Sequence, residues 1–350
     1  VADKDIMEKA RKQYSLWTKE ILPEDLRQES EEIFGNEEEI YDRFCRDMSF
    51  GTSGLRGKMG FGTNRMNTIV VRRATMGVAD YLLSKHKKAK IVIGYDTRID
   101  SQKFAQTAAE VLSSRGIDVE IFAEPTPVPV VSFAIRYMKA DGGIMITASH
   151  NPKEYNGYKV YDHFGNQIDE LKARRIESYI EKRSYFELAD GKRSGTVKEC
   201  SEDVKKAYLE AVQKQFLPWS DNEPEVKEAL SKLNVVYTPL NGSGRDYAMY
   251  VLEKLGVNVV TVKEQMERDG NFPTCPKPNP ENEATFETAV KYADEETDII
   301  IATDPDSDRM GVMARKDGVF ERLTGDHAGI LMLEYVCYCH AKRIAGKNMQ

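Results

Sequence analysis

The sequence predicts an α/β protein made of consecutive, related domains, each with a mixed, mainly parallel sheet flanked by helices. Two observations support this fold class. Short apolar runs alternate with helical segments between residues 68 and 146, and the same alternation returns between residues 232 and 316. Strands that alternate with helices of this length indicate βαβ units, which build parallel sheets.

The first alternation begins with a helical segment and ends with a strand. Gly116 follows the second helical segment, at the position where glycine commonly ends a helix. A proline-rich turn, EPTPVP, precedes the third. The predicted helices are NTIVVRRATMGVADYLLSK, SQKFAQTAAEVLSSRGI and VPVVSFAIRYMKA, and the predicted strands are AKIVIGYDTR, DVEIFAE and GGIMIT.

The second alternation begins with a strand and predicts a unit of similar architecture, with a helix that ends near Gly256. Its predicted strands are KLNVVYT, NVVTVKE and TDIIIAT, and its predicted helices are RDYAMYVLEKLGV and the end of PENEATFETAVKYADEE.

Three further stretches lie outside the two alternations. Residues 1–48 are charged and interrupted by Pro23, and we expect a helical arm that packs on the main body. Residues 165–205 are expected to form a charged, partly helical linker, and a long helix is expected after Phe320.

The composition argues against several classes of function. Lysine plus arginine number 50 and aspartate plus glutamate 57, for a net charge of −7, whereas a general nucleic-acid-binding protein needs a basic face. No apolar run approaches the roughly 20 residues that span a bilayer, and residues 1–17 lack the apolar core of a signal peptide. The five cysteines are scattered and form no disulfide framework or zinc motif, so we expect a cytoplasmic protein.

Three carboxylates directly follow the apolar strand TDIIIAT, at Asp304, Asp306 and Asp308. Carboxylates so close repel one another unless a cation neutralises them, and oxygen ligands favour a hard ion such as Mg²⁺. Arg309 follows and could offer a bidentate fork to a phosphate. An EF-hand is rejected, because its glycine and glutamate positions hold Arg309 and Arg315. A phosphatase with Asp304 as nucleophile and a solvated acidic turn both stay open.

A serine follows the strand GGIMIT in the sequence TASHNP, at Ser149. The G-x-S-x-G elbow of a serine hydrolase is absent there. His150 is poorly placed as a base for Ser149, because neighbouring side chains usually diverge. A turn or helix-capping serine is the ordinary alternative. Lys153 and Lys159 close by would suit an anionic group on the hydroxyl.

A glycine-rich stretch upstream, FGTSGLRGKMGFG, carries Thr52, Ser53, Arg56 and Lys58. A glycine-rich backbone can approach a phosphate closely, and an arginine can grip it. Taken alone, the stretch could equally be a flexible loop.

Together, GTSGLRG, TASHNP and DPDSDR, in this order, resemble the active-site loops of the α-D-phosphohexomutase family, the phosphoglucomutases and phosphomannomutases. NGYKV and TPLNGSG also fit. PKPNPEN and GTSGLRGKMGFGTNRMN are most similar to the longer branch, which includes phosphoglucomutase-2-type and phosphopentomutase enzymes. The resemblance covers about residues 45–345.

The resemblance implies four domains, of which the first three are α/β. The first would cover 1–205 with the helical arm and the serine loop, the second 206–318 with the acidic loop, and 319–350 would begin the third. The family's Gly-Glu-x-Ser motif and its later phosphate-binding loop do not occur in this sequence. We therefore expect a fragment of a longer mutase that is poorly active alone.

The resemblance also implies an isomerase that interconverts hexose 1-phosphate and hexose 6-phosphate through a phosphoserine and a bisphosphate intermediate. One Mg²⁺ per active site and an activator of the glucose 1,6-bisphosphate type are implied, with hexose or pentose monophosphates as partners. The implied catalytic residues are Ser149, His150, Lys159 and Arg56; the implied phosphate-binding residues are Thr52, Ser53, Arg56, Lys153 and Arg309; the implied metal ligands are phosphorylated Ser149, Asp304, Asp306 and Asp308.

The sequence leaves three alternatives: a phosphopentomutase of the same family, a metal-dependent phosphatase that uses Asp304, and a regulatory module that binds sugar phosphates without turnover. The preferred sugar and the oligomeric state are not predicted.

Overall fold

The computed structural model of the chain describes residues 4–188 and 194–347, which divide into two compact units, Val1–Cys200 and Ser201–Gln350. Each unit contains a mixed sheet with helices, so the predicted fold class is confirmed. Residues 189–193 of the predicted linker lie outside the described residues. Within the described residues, no helix is long and apolar enough to span a membrane.

The first unit is built on a six-stranded sheet of order β1-β5-β4-β2-β3-β6. Strand β2 pairs in parallel with β3 and β4, and β3 pairs in parallel with β6, whereas β5 is antiparallel to β4 and β1. The elements are α1 Lys4–Trp17, α2 Glu24–Glu32, α3 Glu37–Phe44, β1 Leu55–Lys58, α4 Thr68–Leu83, β2 Lys90–Tyr95, α5 Ser101–Ser114, β3 Asp118–Ile121, α6 Val128–Tyr137, β4 Gly142–Ile146, β5 Tyr155–Asp162, α7 Glu170–Ile180 and β6 Val197–Glu199.

The central strands of this sheet are buried, which explains why their sequences are continuous apolar runs. Every residue of β4 is buried, as expected for a strand with neighbours on both sides and helices over the sheet. Strands β2 and β4 run parallel, with Tyr95 opposite Ile146 at their carboxyl ends. The loops that leave these two strands therefore begin side by side.

The helical arm packs on the first unit, as predicted. Trp17 of α1, Phe44 of α3 and Phe61 of the glycine-rich stretch form mutual edge-to-face contacts with ring centroids 5.3–5.7 Å apart. All three side chains are almost completely buried. Such aromatic pairs contribute about 0.5–1.5 kcal/mol each beyond their burial. The arm is thus part of the core that supports the glycine-rich stretch.

The prediction of a linker over 165–205 is wrong for α7. This helix packs against α4 and buries Ala173, Ile176 and Ile180 in the main core. The exposed face of α7 is highly charged, and this charge masks in the sequence an apolar stripe spaced at three and four residues. Strand β6 then adds an edge to the sheet by pairing with β3.

The second unit is built on a five-stranded sheet of order β11-β10-β9-β7-β8. Strand β7 is parallel to β8 and β9, and β10 is antiparallel to β9 and β11. Strand β11 follows residue 318, where the second domain was expected to end, and it joins the same sheet. The elements are α8 Glu202–Gln213, α9 Glu223–Leu230, β7 Asn234–Thr238, α10 Arg245–Leu255, β8 Asn258–Thr261, α11 Lys263–Met266, a 3-10 turn Glu283–Phe286, α12 Glu287–Val290, β9 Ile299–Thr303, β10 Met310–Lys316, β11 Val319–Leu323 and α13 Gly325–Lys347.

Candidate active site

The serine loop leaves the carboxyl end of β4 and turns sharply at Ser149, which has a φ of 53° in the left-handed region. The Ser149 residue is only 2% exposed. Its N–H donates to Thr147 Oγ1 at 2.8 Å, and the Thr147 hydroxyl donates to Asp96 Oδ2 at 2.6 Å. A non-glycine residue holds such a φ only where its surroundings enforce it. This loop is therefore a fixed turn.

Arg98, which lies just beyond β2, is the main support of the serine loop. Its Nε lies 3.2 Å from Asp96 Oδ2, and both side chains are fully buried. The guanidinium also donates to four backbone carbonyl oxygens of the loop, those of Ser149 at 2.5 Å, Asn151 at 2.5 Å, Pro152 at 2.9 Å and Tyr155 at 3.1 Å. Arginine suits this task because its donors form a rigid fork.

Asp96, which follows β2, also links the end of β2 to the end of β4. Its Oδ1 accepts hydrogen bonds from the Arg98 N–H at 3.0 Å and from Ser101 Oγ at 2.7 Å, while Oδ2 accepts the Thr147 hydroxyl. Neither Asp96 nor Arg98 was singled out from the sequence. The available signal was the polar ending of the run IVIGYDTR, since the carboxyl ends of neighbouring parallel strands meet at one edge of a sheet.

His150 lies close to the serine hydroxyl. Nδ1 of His150 is 3.3 Å from Ser149 Oγ, and the imidazole is half-buried. The expectation that these adjacent side chains diverge is therefore wrong. It assumed ordinary backbone angles, whereas the left-handed φ of Ser149 rotates the two side chains toward each other.

The glycine-rich stretch lies beside the serine loop because β1 pairs with β5. In this pairing Leu55 is opposite Tyr158 and Arg56 is opposite Gly157. Arg56 is exposed, and its Nη1 donates to Asn151 Oδ1 at 3.3 Å. Gly54 has a φ of 69°, and a Cβ there would lie 1.8 Å from the Tyr158 carbonyl oxygen. The tight approach of these two segments therefore requires glycine at position 54.

The other predicted residues of the first unit differ in exposure. Lys159 lies on β5 opposite Met145 of β4 and is only 4% exposed. Thr52, Ser53 and Lys153 are exposed, and the carbonyl oxygen of Thr52 accepts a hydrogen bond from Gln167 at 2.8 Å. A buried lysine on the strand that follows the serine loop, together with exposed polar groups on the neighbouring loops, suits a recessed site that receives a ligand from solvent.

The acidic loop follows β9 in the second unit. Asp304 and Asp306 are fully buried and Asp308 is exposed. One carboxylate oxygen from each of them lies within 4.8 Å of the other two, a spacing that could hold a metal ion. Mutual repulsion and loss of hydration oppose three charged carboxylates at this spacing, so a bound cation would relieve both. The predicted grouping of these three residues is thus found in the structure.

Arg309 completes the acidic loop. Its backbone N–H donates to Asp304 Oδ1 at 3.0 Å, which fixes the turn. Its side chain extends to Glu281, with Nη1 3.1 Å from Oε1. Glu281 belongs to the sequence PKPNPEN and was not singled out as a candidate site residue.

The segment TPLNGSG, which follows β7, braces the acidic loop. The N–H and Oγ of Ser243 both donate to the Pro305 carbonyl oxygen at 2.9 Å. A Cβ on Gly242 would lie 2.6 Å from Pro305 Cα, so this close approach of two backbones requires glycine. Tyr237 of β7 lies with its hydroxyl 3.1 Å from Thr303 Oγ1, and burial raises the pKa of the Tyr237 phenol, which keeps it neutral.

Comparison with known proteins places both units in one family. Residues 47–186 match the model of phosphoglucomutase/phosphomannomutase α/β/α domain I, and residues 206–318 match the model of domain II. A phosphoglucomutase of Staphylococcus haemolyticus is 37% identical over 297 residues, covering 84% of this chain and 53% of the relative. A phosphoglucomutase of Staphylococcus saprophyticus is 36% identical over 310 residues, covering 85% and 54%. The chain spans about half the length of the curated relatives it matches.

Solved structures give the same result. A protein described as a phosphomannomutase from Thermus thermophilus matches with a TM-score of 0.65 and 27% identity, covering 79% of this chain and 58% of that one. A phosphoglucomutase/phosphomannomutase family protein from Burkholderia thailandensis shares the fold, with a TM-score of 0.61, 23% identity and coverage of 77% and 55%. With two domain models matched and more than a third of aligned residues identical, the chain belongs to the phosphoglucomutase/phosphomannomutase family, as the three loops predicted.

Proposed function

We propose that this chain carries the phosphoserine loop and the metal loop of a phosphosugar mutase, which interconverts hexose 1-phosphate and hexose 6-phosphate. The observation that supports this function best is the serine loop. Ser149 is recessed at the end of a buried strand, its backbone is held by Arg98, and its hydroxyl lies 3.3 Å from His150 Nδ1. A fixed hydroxyl beside an imidazole can exchange a proton as the hydroxyl gains or loses a phosphoryl group.

In this proposal the Ser149 oxygen carries the phosphoryl group between turnovers. The phosphoserine gives the group to a free hydroxyl of the sugar monophosphate and recovers the other phosphate from the resulting bisphosphate. Lys159 acts as the general acid or base toward the sugar hydroxyl, and His150 exchanges the proton of Ser149 Oγ. Arg56 and Lys153, with Thr52 and Ser53, bind phosphate oxygens at the exposed edge.

We propose Mg²⁺ as the metal of the acidic loop, held by Asp304, Asp306 and Asp308. The donor set fits because all three ligands are hard oxygens and two are fully buried, a setting that demands a compensating cation. When bound, Mg²⁺ neutralises charge on a phosphoryl group during its transfer. Arg309 supplies a further cation for phosphate. In the structure its side chain pairs with Glu281. An activator of the glucose 1,6-bisphosphate type would phosphorylate Ser149 at the start.

Peptide mapping by mass spectrometry tests this function on the 350-residue chain. After incubation with glucose 1,6-bisphosphate and Mg²⁺, we expect one phosphate on Ser149. Ser149→Ala should remove this label, and Ser178→Ala, at an exposed serine of α7, should keep it. A label on Asp304 would favour the metal-dependent phosphatase. Tight binding of the sugar phosphate with no label anywhere would favour a regulatory module.

A further inference from the structure

Three cationic side chains, those of Arg56, Lys58 and Lys153, are exposed beside the serine loop. Arg56 and Lys58 are two positions apart on β1, so their side chains project from the same face of the strand. The face is identified by Arg56, whose Nη1 donates to Asn151 of the serine loop. Lys58 therefore extends the cationic edge that Arg56 begins.

Lys153 is brought to the same edge by the turn after Ser149. The Met59 N–H donates to the Glu154 carbonyl oxygen at 2.8 Å, and Lys58 lies opposite Tyr155 in the pairing of β1 with β5. The end of β1 thus lies against the turn that carries Lys153. The three cations come from β1 and from the turn after Ser149, two segments that are about 95 residues apart in the sequence.

The charges at this edge are not compensated. Among residues 4–188 and 194–347, no carboxylate oxygen lies within 4.0 Å of the cationic nitrogens of Arg56, Lys58 or Lys153. Some other exposed cations of this unit are paired, for example Lys103 with Asp25 at 2.6 Å and Arg174 with Glu170 at 2.5 Å. Even counting the neighbouring carboxylate of Glu154, the edge keeps a positive excess in a chain whose net charge is −7.

We propose that Arg56, Lys58 and Lys153 form a cationic rim that captures the phosphate dianion of an incoming sugar phosphate and speeds its delivery to Ser149. This inference rests on the proposed function and adds Lys58 to its residues. Ser149 is 2% exposed whereas the rim faces solvent, so an arriving dianion meets the rim first. Steering by such charges raises association rates by about 10- to 1000-fold and weakens steeply with salt.

The test compares the unmodified chain with Lys58→Gln/Lys153→Gln and with Lys87→Gln/Lys88→Gln. The second pair is a matched control, because Lys87 and Lys88 are likewise two exposed lysines but precede β2, at the opposite end of the sheet from Ser149. The measured quantity is the second-order rate constant for phosphorylation of Ser149 by glucose 1,6-bisphosphate, at about 0.02 M and about 0.5 M ionic strength.

We expect Lys58→Gln/Lys153→Gln to lower this rate constant about tenfold at low salt and less than about twofold at high salt, while the control pair changes it less than about twofold at either. Equal low-salt rates for the unmodified chain and the rim variant would overturn the rim and leave the proposed function intact. A loss that is the same at both salt concentrations would also overturn it, since steering is screened by salt.

A second measurement separates failure of the rim from failure of the proposed function. If no variant is labelled at Ser149, the mutase proposal fails, and binding of inorganic phosphate followed by phosphorus NMR then decides the rim. The dissociation constant for inorganic phosphate should increase at least about threefold in Lys58→Gln/Lys153→Gln at low salt and stay unchanged in the control pair. An unchanged constant in both would overturn the rim.

Discussion

Nη2 of Arg98 donates a hydrogen bond to the carbonyl oxygen of Ser149 at 2.5 Å. Because Arg98 follows β2 and Ser149 follows β4, this bond joins the ends of two neighbouring parallel strands. The position of the candidate phosphoserine is thus set by a residue that has no proposed contact with the phosphate. Arg98 is a positioning residue, and its removal should affect both stability and chemistry.

Replacing Arg98 by methionine should lower the free energy of unfolding of the chain by about 3–5 kcal/mol, because it breaks the buried ion pair with Asp96 and removes the donors to four loop carbonyl oxygens. Arg98→Lys keeps the cation but not the fork, so it should cost less and still slow phosphorylation of Ser149. Urea denaturation measures the first effect and mass spectrometry the second. Arg174→Met breaks an exposed pair with Glu170 and should cost about 0.3–0.5 kcal/mol. If Arg98→Met lowers the free energy of unfolding by no more than Arg174→Met does, the prediction is contradicted.

Replacing His150 by alanine should slow phosphorylation of Ser149 by glucose 1,6-bisphosphate about 100-fold or more, the usual contribution of a positioned acid or base. The expectation follows from the 3.3 Å between Nδ1 and Ser149 Oγ. His163→Ala is the control, since His163 is exposed just beyond β5, at the opposite end of that strand from the serine loop. If both variants react at the rate of the unmodified chain, His150 has no part in the chemistry.

The sequence predicted those parts of the site whose residues lie close together in the chain. The serine and acidic loops were predicted because each is one short stretch directly after an apolar strand. The support from Arg98 was missed, since its acceptors lie 51 to 57 residues further along and only the pairing of β2 with β4 brings them close. The sequence did not predict that His150 lies close to Ser149. This proximity depends on the left-handed φ of Ser149, and a serine at this position does not indicate such a φ.

Mg²⁺ should stabilise the chain through the acidic loop. At a free concentration of 100 times the dissociation constant, a ligand specific to the folded state adds about 2.7 kcal/mol to the free energy of unfolding. Asp306→Asn should abolish this gain, and without Mg²⁺ this variant should be at least as stable as the unmodified chain, because one repelling charge is gone. Thermal unfolding with and without Mg²⁺ measures both. Asp317→Asn, in the exposed turn between β10 and β11, should keep the full gain, and equal gains in the two variants would place the metal elsewhere.

The brace formed by TPLNGSG predicts that a single methyl group can weaken metal binding from outside the acidic loop. Gly242→Ala would place a Cβ 2.6 Å from Pro305 Cα, and since that atom is backbone, the acidic loop itself must move. We expect a cost of about 1–3 kcal/mol in stability and a dissociation constant for Mg²⁺ at least about tenfold higher, measured by calorimetry.

Gly256→Ala separates the displacement of the loop from a general loss of stability. Gly256 ends α10 with a φ of 75°, so alanine there costs about 1–2 kcal/mol of backbone strain, but nothing lies within 4 Å of its added Cβ. Its stability should therefore fall by a similar amount while its affinity for Mg²⁺ stays unchanged. If Gly242→Ala binds Mg²⁺ as tightly as Gly256→Ala, the segment TPLNGSG does not position the aspartates, and the loop must instead be held by its internal bonds, such as the one from the Arg309 N–H to Asp304.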